Sequence, residues 1–168
     1  MGWTGIVLGD SCLVRRTMKL SKEVLILLVL RSSPMKYRLI ESALFFIWRR
    51  LGSEVEWPFT FRPLGFGPVP NECGHSLACL SDKNLVARAT SQWGSGTSRL
   101  TDDGKREADK IASTIDTLLL ATIEGVVLET AKLTKPQLVS RLVSEGPEFF
   151  NPPLAPLIPS CNQDDINV

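Results

Sequence analysis

Histidine is nearly missing from this chain. One residue in 168, His75, carries an imidazole, so any histidine-based acid–base scheme rests on a ring with no evident partner in sequence. Cysteine is also sparse. Cys12, Cys73, Cys79 and Cys161 are too few and too scattered for a disulfide framework, and a reducing, cytoplasmic setting is expected. No apolar run is long enough to cross a bilayer, which takes about 20 residues, so no membrane contact is expected. The longest aliphatic stretch, residues 24–30, resembles the centre of a secretory signal when read from Met18. No small-residue cleavage site follows it, and a buried first helix is the simpler reading. Internal repeats are lacking. A strong net charge is lacking as well: 19 basic against 18 acidic side chains leave +1, too little for a protein that coats nucleic acid without selectivity.

What is present fits one globular domain with tails. The chain is 43% hydrophobic and 22% charged, ordinary for a folded domain. Its charge is unevenly placed. Residues 1–64 hold ten Lys or Arg against five Asp or Glu, and residues 65–168 hold nine against thirteen. A basic N-terminal face for nucleic acid or an acidic partner is the expectation from that split. Residues 1–17 show no period and are read as an N-terminal extension, 18–144 as the folded domain, and 145–168 as a proline-rich tail, either docked through Phe149 and Phe150 or disordered.

Helical periodicity dominates the domain. Ser21 is set to cap a first helix over about 21–31, which stops at Arg31-Ser32-Ser33-Pro34. A second helix, about 35–51, repeats Tyr37, Ile40, Leu44, Ile47 and Leu51 at steps of three and four, leaving Lys36, Arg38, Glu41, Arg49 and Arg50 to solvent and Gly52 as its C-cap. Residues 54–70, crowded with proline and glycine, read as a long connector with one short strand; Phe59, Phe61 and Phe66 should turn back onto the core. A third helix is expected at about 71–82. Apolar strands at 84–90 and 98–100 flank a Ser/Gly-rich loop. Thr101 caps a helix running to about 122 through Ala108, Ile111, Ala112, Ile115, Leu118 and Leu119, with Gly125 ending or bending it. Residues 126–133 are ambiguous between helix and strand. Thr134 caps a last helix with Pro136 in its first turn.

The order helix, helix, connector, helix, two-strand wing, helix resembles the winged helix-turn-helix superfamily, as does Leu100-Thr101-x-x-Gly104 before a charged amphipathic helix. The segments from Tyr37 to Phe46, Phe59-Thr60-Phe61-Arg62-Pro63 and Phe66-Gly67-Pro68 together resemble the poorly characterised YwgA-like, phage-associated family. This chain departs from that pattern with Ile40-Glu41 where lysine is common and Phe66 for tyrosine. The resemblance covers about residues 19–111. It implies a mainly α fold with a small β-wing, a winged-helix-like domain with additional C-terminal helices, and a regulatory or antitoxin-like role; it supplies no catalytic residue.

Duplex DNA is the partner such a fold would meet. Candidate contacts are Asn71, His75, Ser76 and Lys83 around the third helix and Arg88, Gln92 and Arg99 on the wing, beside Trp93. The third helix holds no arginine, and Glu72 would repel phosphate. The helices at 104–144 are the expected dimer interface. The alternative is a winged helix that has lost its DNA contacts and holds a protein partner through Trp57, Phe59, Phe61 and Phe66 or through the tail. Cys73, His75 and Cys79 fall short as a zinc site, because on a helix Cys73 points away from the other two. Gly94-Ser95-Gly96 lacks the lysine of a phosphate loop, and Gly65-Phe66-Gly67 opens no helix. Neither cofactor, metal nor enzymatic activity is expected.

Overall fold

The computed structural model describes residues 18–52, 55–64, 67–88 and 96–150. Trp93, Gln92, Phe66, Cys12 and Cys161 lie outside them. The protein is mainly helical, with six α-helices and three small sheets among the described residues.

Helix α1 (Lys22–Ser32) starts where the Ser21 hydroxyl accepts the Val24 N–H at 3.2 Å. Its six central residues, Leu25 to Leu30, are all buried. A helix that is apolar on every side must be surrounded, and α1 is packed by the second to fifth helices. The aliphatic run that resembles a signal segment is thus the centre of the core. Strand β1 (Met18–Lys19) pairs in parallel with β3 (Val55–Glu56).

After Pro34 comes β2 (Met35–Lys36), too short to leave a periodic signal, and then α2 (Tyr37–Leu51). Ile40, Ala43, Leu44, Phe45, Phe46, Ile47 and Leu51 are buried, and Gly52 closes the helix at φ +53° with its N–H on the Trp48 carbonyl. One expectation fails here: Glu41 is not solvated but 2% exposed.

The proline-rich connector holds more strand than expected. Strands β4 (Phe61–Leu64) and β5 (Gly67–Pro70) form an antiparallel hairpin with Pro63 opposite Pro68. Both strands are edges, which is why prolines without an N–H are tolerated. The ring of Phe61 stacks on Trp48, 5.0 Å between centroids, and meets Phe45 edge-on. Phe59 is buried.

Helix α3 (Cys73–Asp82) leads into β6 (Val86–Arg88), and β7 (Thr97–Leu100) returns antiparallel to it. Strand β2 completes that sheet on the other side of β7, giving the order β2-β7-β6. Thr101 then caps α4 (Asp102–Ala112), accepting the Gly104 N–H at 3.0 Å.

The single long helix expected from 101 to 122 is two. The hydroxyls of Ser113 and Thr114 bond back to the Lys110 and Ile111 carbonyls, both at 2.7 Å, the competition with helix hydrogen bonds typical of these residues. Asp116 opens α5 (Thr117–Ala131) by accepting the N–H groups of Leu118 and Leu119. Gly125 sits inside α5 rather than ending it, and residues 126–131 are helical. Helix α6 (Lys135–Glu145) follows, with the Gln137 side chain returning to the Thr134 N–H at 2.9 Å. A 3-10 turn at Pro147–Phe149 docks Phe149 edge-on against Phe45, 5.6 Å between centroids. Phe150 lies over Gly67, where a Cβ would come within 3.1 Å of its ring. No helix is long and apolar enough to cross a membrane among the described residues.

Candidate functional site

The sequence gathers its candidates around α3 and the β6–β7 hairpin, and the structure sorts them into groups. Two belong to the interior. Asn71 is half-buried and donates to the Thr60 hydroxyl at 2.5 Å, while its backbone N–H holds the Thr60 carbonyl. It ties together the two ends of the proline-rich hairpin and is not presented to a base edge. Ser76 is 1% exposed. Its hydroxyl reaches Glu23 on α1, whose carboxyl is held below the usual range first by a backbone hydrogen bond, against burial, and further by Ser21 and Ser76.

His75, Lys83 and Arg88 are exposed on the α3 side. The Nε2 of His75 is 3.6 Å from Cys79 Sγ, one turn further on. Lys83 closes the helix, its N–H on the Cys79 carbonyl at 3.1 Å. Arg88 ends β6 close enough to Cys73 for its charge to favour the thiolate. The outward face also carries acids at both ends, Glu72 and Asp82. Glu72 holds the left-handed conformation, φ +63°, and forms an ion pair with Lys22. A glutamate in that conformation costs about 1–2 kcal/mol.

The two hairpin arginines do not share a face. Arg88 is registered against Ser98, and Arg99 against Ala87. Neighbouring strand positions point to opposite sides of a sheet, so Arg88 lies with the buried Val86, Ser98 and Leu100 row, at its outer edge, and Arg99 points the other way. Arg99 borders a hollow with Arg31, Lys105 and Asp109. Of the two wing candidates, Arg88 and Arg99, only Arg88 is therefore on the buried-row side of the sheet. Gln92 lies outside the described residues.

The basic N-terminal half has an internal use. Arg31 bonds Asp109 at 2.7 Å and also pairs with Glu124; Arg49 pairs with Glu148; Arg50 lies 3.8 Å from Glu129. In each pair the cation comes from α1 or α2 and the acid from the C-terminal half. Part of the charge split is thus complementarity between packed elements. Two of the four connector aromatics are used internally: Phe59 is in the core and Phe61 lies against Trp48 and Phe45, while Trp57 is half-buried and Phe66 lies outside the described residues.

Sequence reasoning missed a buried polar cluster between α2 and α3. Glu41 accepts from Arg38 at 2.9 Å and from the Tyr37 hydroxyl. Burial raises the Glu41 carboxyl above its ordinary range, against the pull of Arg38. Burial, helped by the Glu41 charge, pushes the Cys73 thiol up to about 12 and keeps it an unreactive neutral group. The signal was there in Tyr37 and Glu41, which lie one turn apart and so share a face of α2. Among the described residues no group of three or more His, Cys, Asp or Glu is placed to hold a metal ion.

Among the described residues, the most exposed large apolar side chain lies elsewhere, on α5. Leu118 is 77% exposed and Leu128 47%. With Ala121 and Gly125 they form a stripe at helical spacing, opposite the buried Ile123, Val126, Val127 and Thr130. Ile115 and Leu119, by contrast, pack on the core. No family model, no curated protein and no solved structure matches the chain.

Proposed function

We propose that this protein is a cytoplasmic, non-enzymatic winged-helix protein of the transcription-regulator type, which binds duplex DNA as a homodimer. One observation carries the reading: a helix, a short strand, a second helix, a third helix that follows the inserted β3 strand and β4–β5 hairpin, and the β6–β7 hairpin, with the sheet closed in the order β2-β7-β6, an arrangement that sets a helix and a wing beside each other. His75, Lys83 and Arg88 are the phosphate-facing groups on that side. With Asn71 and Ser76 turned inward and no arginine on α3, base reading is weak and the duplex is held through its backbone. The second copy meets the first through the open stripe of α5, since a helix apolar on two opposite sides has a second face to cover.

Titration of a labelled duplex at rising salt tests this. Affinity should fall steeply as counterions are released. Lys83→Glu and Arg88→Glu should each weaken binding about tenfold, with a shallower salt slope, while Arg99→Glu, on the opposite face, should do little. Absence of duplex binding at low salt would end the reading. The acids Glu72 and Asp82 at the two ends of α3 favour a second reading, a protein-contact module on the same fold. In that case Asp82→Lys would leave duplex binding absent rather than strengthen it.

A further inference from the structure

A cavity of about 450 Å³ opens between the N-terminal half of α2, strand β5 and α6. That lies within the roughly 300–1,000 Å³ of small-molecule sites. Its wall is apolar on the α6 side, with Leu133, Leu138, Val139 and Leu142, and is closed by Leu39 and Pro68. Its mouth carries Lys36, Arg38 and Lys135. The one acid in the wall, Glu41, is bonded to Arg38. Lys36 and Lys135 have no carboxylate partner among the described residues. The backbone adds to this field. Helices α2 and α6 both begin at the cavity, neither has an acid in its first turn, and Lys36 stands at the α2 N-cap without a capping side chain. Helix N-termini carry positive partial charge, which a carboxylate normally balances. The α6 end is closed by its Thr134–Gln137 capping box, so the uncapped α2 end and the two lysines supply the positive charge at the mouth, over an apolar floor.

We propose that this cavity is a binding site for a small amphipathic anion, a carboxylate on an aliphatic chain or ring. The apolar body lies against Leu39, Leu138, Val139 and Leu142, and the carboxylate lies between Lys36 and Lys135. The charge pattern selects an anion over a neutral ligand, and the one-sided apolar wall selects an amphiphile over a free inorganic ion. None of its lining residues lies on α3, and the proposal does not depend on whether the α3 face meets DNA.

Decanoate, kept below its micellar concentration, is the probe, titrated into the full chain by calorimetry with methyl resonances followed in parallel. Binding at one site per chain is expected, with shifts centred on the Leu39, Leu138, Val139 and Leu142 methyls. Decanol, with the same chain and no charge, should bind at least tenfold more weakly. The double variant Lys36→Glu, Lys135→Glu should lose at least tenfold in affinity. Both lysines are exposed, so the fold should survive; if it does not, the Lys36→Gln and Lys135→Gln singles, each expected to lose severalfold, give the same reading. Equal binding of decanol and decanoate, indifference to these charges, or shifts centred on Leu118 and Leu128 would overturn the proposal.

Discussion

Two glycines show how little residue type says without its neighbours. Gly104 lies in the first turn of α4, and a Cβ there would fall 1.9 Å from the Leu85 carbonyl oxygen. Gly125 lies mid-way along α5, with nothing within 4 Å of its Cβ position. Intrinsic propensity favours alanine at both by about 0.5–1 kcal/mol. Denaturant melts should therefore show Gly125→Ala gaining about that much, and Gly104→Ala losing about 2 kcal/mol or more, because backbone must move. Equal signs would refute the close approach. Glu41 gives a second prediction. Its folded carboxyl titrates above the ordinary range because it is buried, so the protonated form favours folding. That contribution is full below the unfolded pKa and is lost as pH rises through the folded one. Glu41→Gln does not titrate, and Arg38 is exposed enough to lose little when its partner is removed. The variant should gain on the wild type as pH rises from the ordinary glutamate range, about 4.3, through the raised pKa of the folded carboxyl. A constant difference across that range would show that Glu41 is not the titrating group. Position 41 looks solvated in sequence because Arg38 and Glu41 read as a surface pair one turn apart. What buries it is the packing of β5 and α6 against α2, so the Tyr37–Glu41 spacing marks a pair on one face while nothing local to α2 announces its burial.

Element ends were legible where a side chain caps them, and strands were not where pairing alone defines them. Ser21, Thr101, Thr134 and Gly52 mark boundaries that the structure keeps. The break between α4 and α5 was equally written, in Ser113, Thr114 and Asp116, but the apolar period running through it masks the signal. Asp116→Ala removes the acceptor of two N–H groups. It should cost about 1 kcal/mol and speed hydrogen exchange at Leu118 and Leu119 ahead of the rest of α5; unchanged exchange there would count against the cap. Strand β2, two residues long, and the β4–β5 hairpin, with three prolines in eight paired positions, have no period to detect. The first exists through its partner β7. The second is held by Trp48, Phe45, Phe149 and Phe150 from distant parts of the chain.

At the scale of the molecule, the charge split was visible in sequence, but its use was not. Composition cannot tell a basic face from basic helices packed on acidic ones, and Arg31, Arg49 and Arg50 are of the second kind. The open stripe of α5 was hidden for the opposite reason, since apolar residues on both sides of a helix leave no period to say which side is covered. If a second copy covers it, Leu118→Asp with Leu128→Asp should turn a dimer into a folded monomer by light scattering. Ile115→Asp and Leu119→Asp should instead lower stability. A wild-type monomer at high concentration would remove the dimer. The base of the hairpin bears on how such a dimer would work. Thr101 donates its N–H to the Leu85 carbonyl and its hydroxyl to the Asn84 carbonyl, at 3.1 and 2.6 Å, and Gly104 lets α4 lie directly against that strand start. The end of α3, the root of β6 and the first turn of α4 are thereby pinned into one body. A torque applied at the hairpin cannot be absorbed at its root. If a second copy pairs on α5, a change in the pitch of the hairpin would pass along α4 to the four-residue turn before α5 and alter the angle between the paired helices.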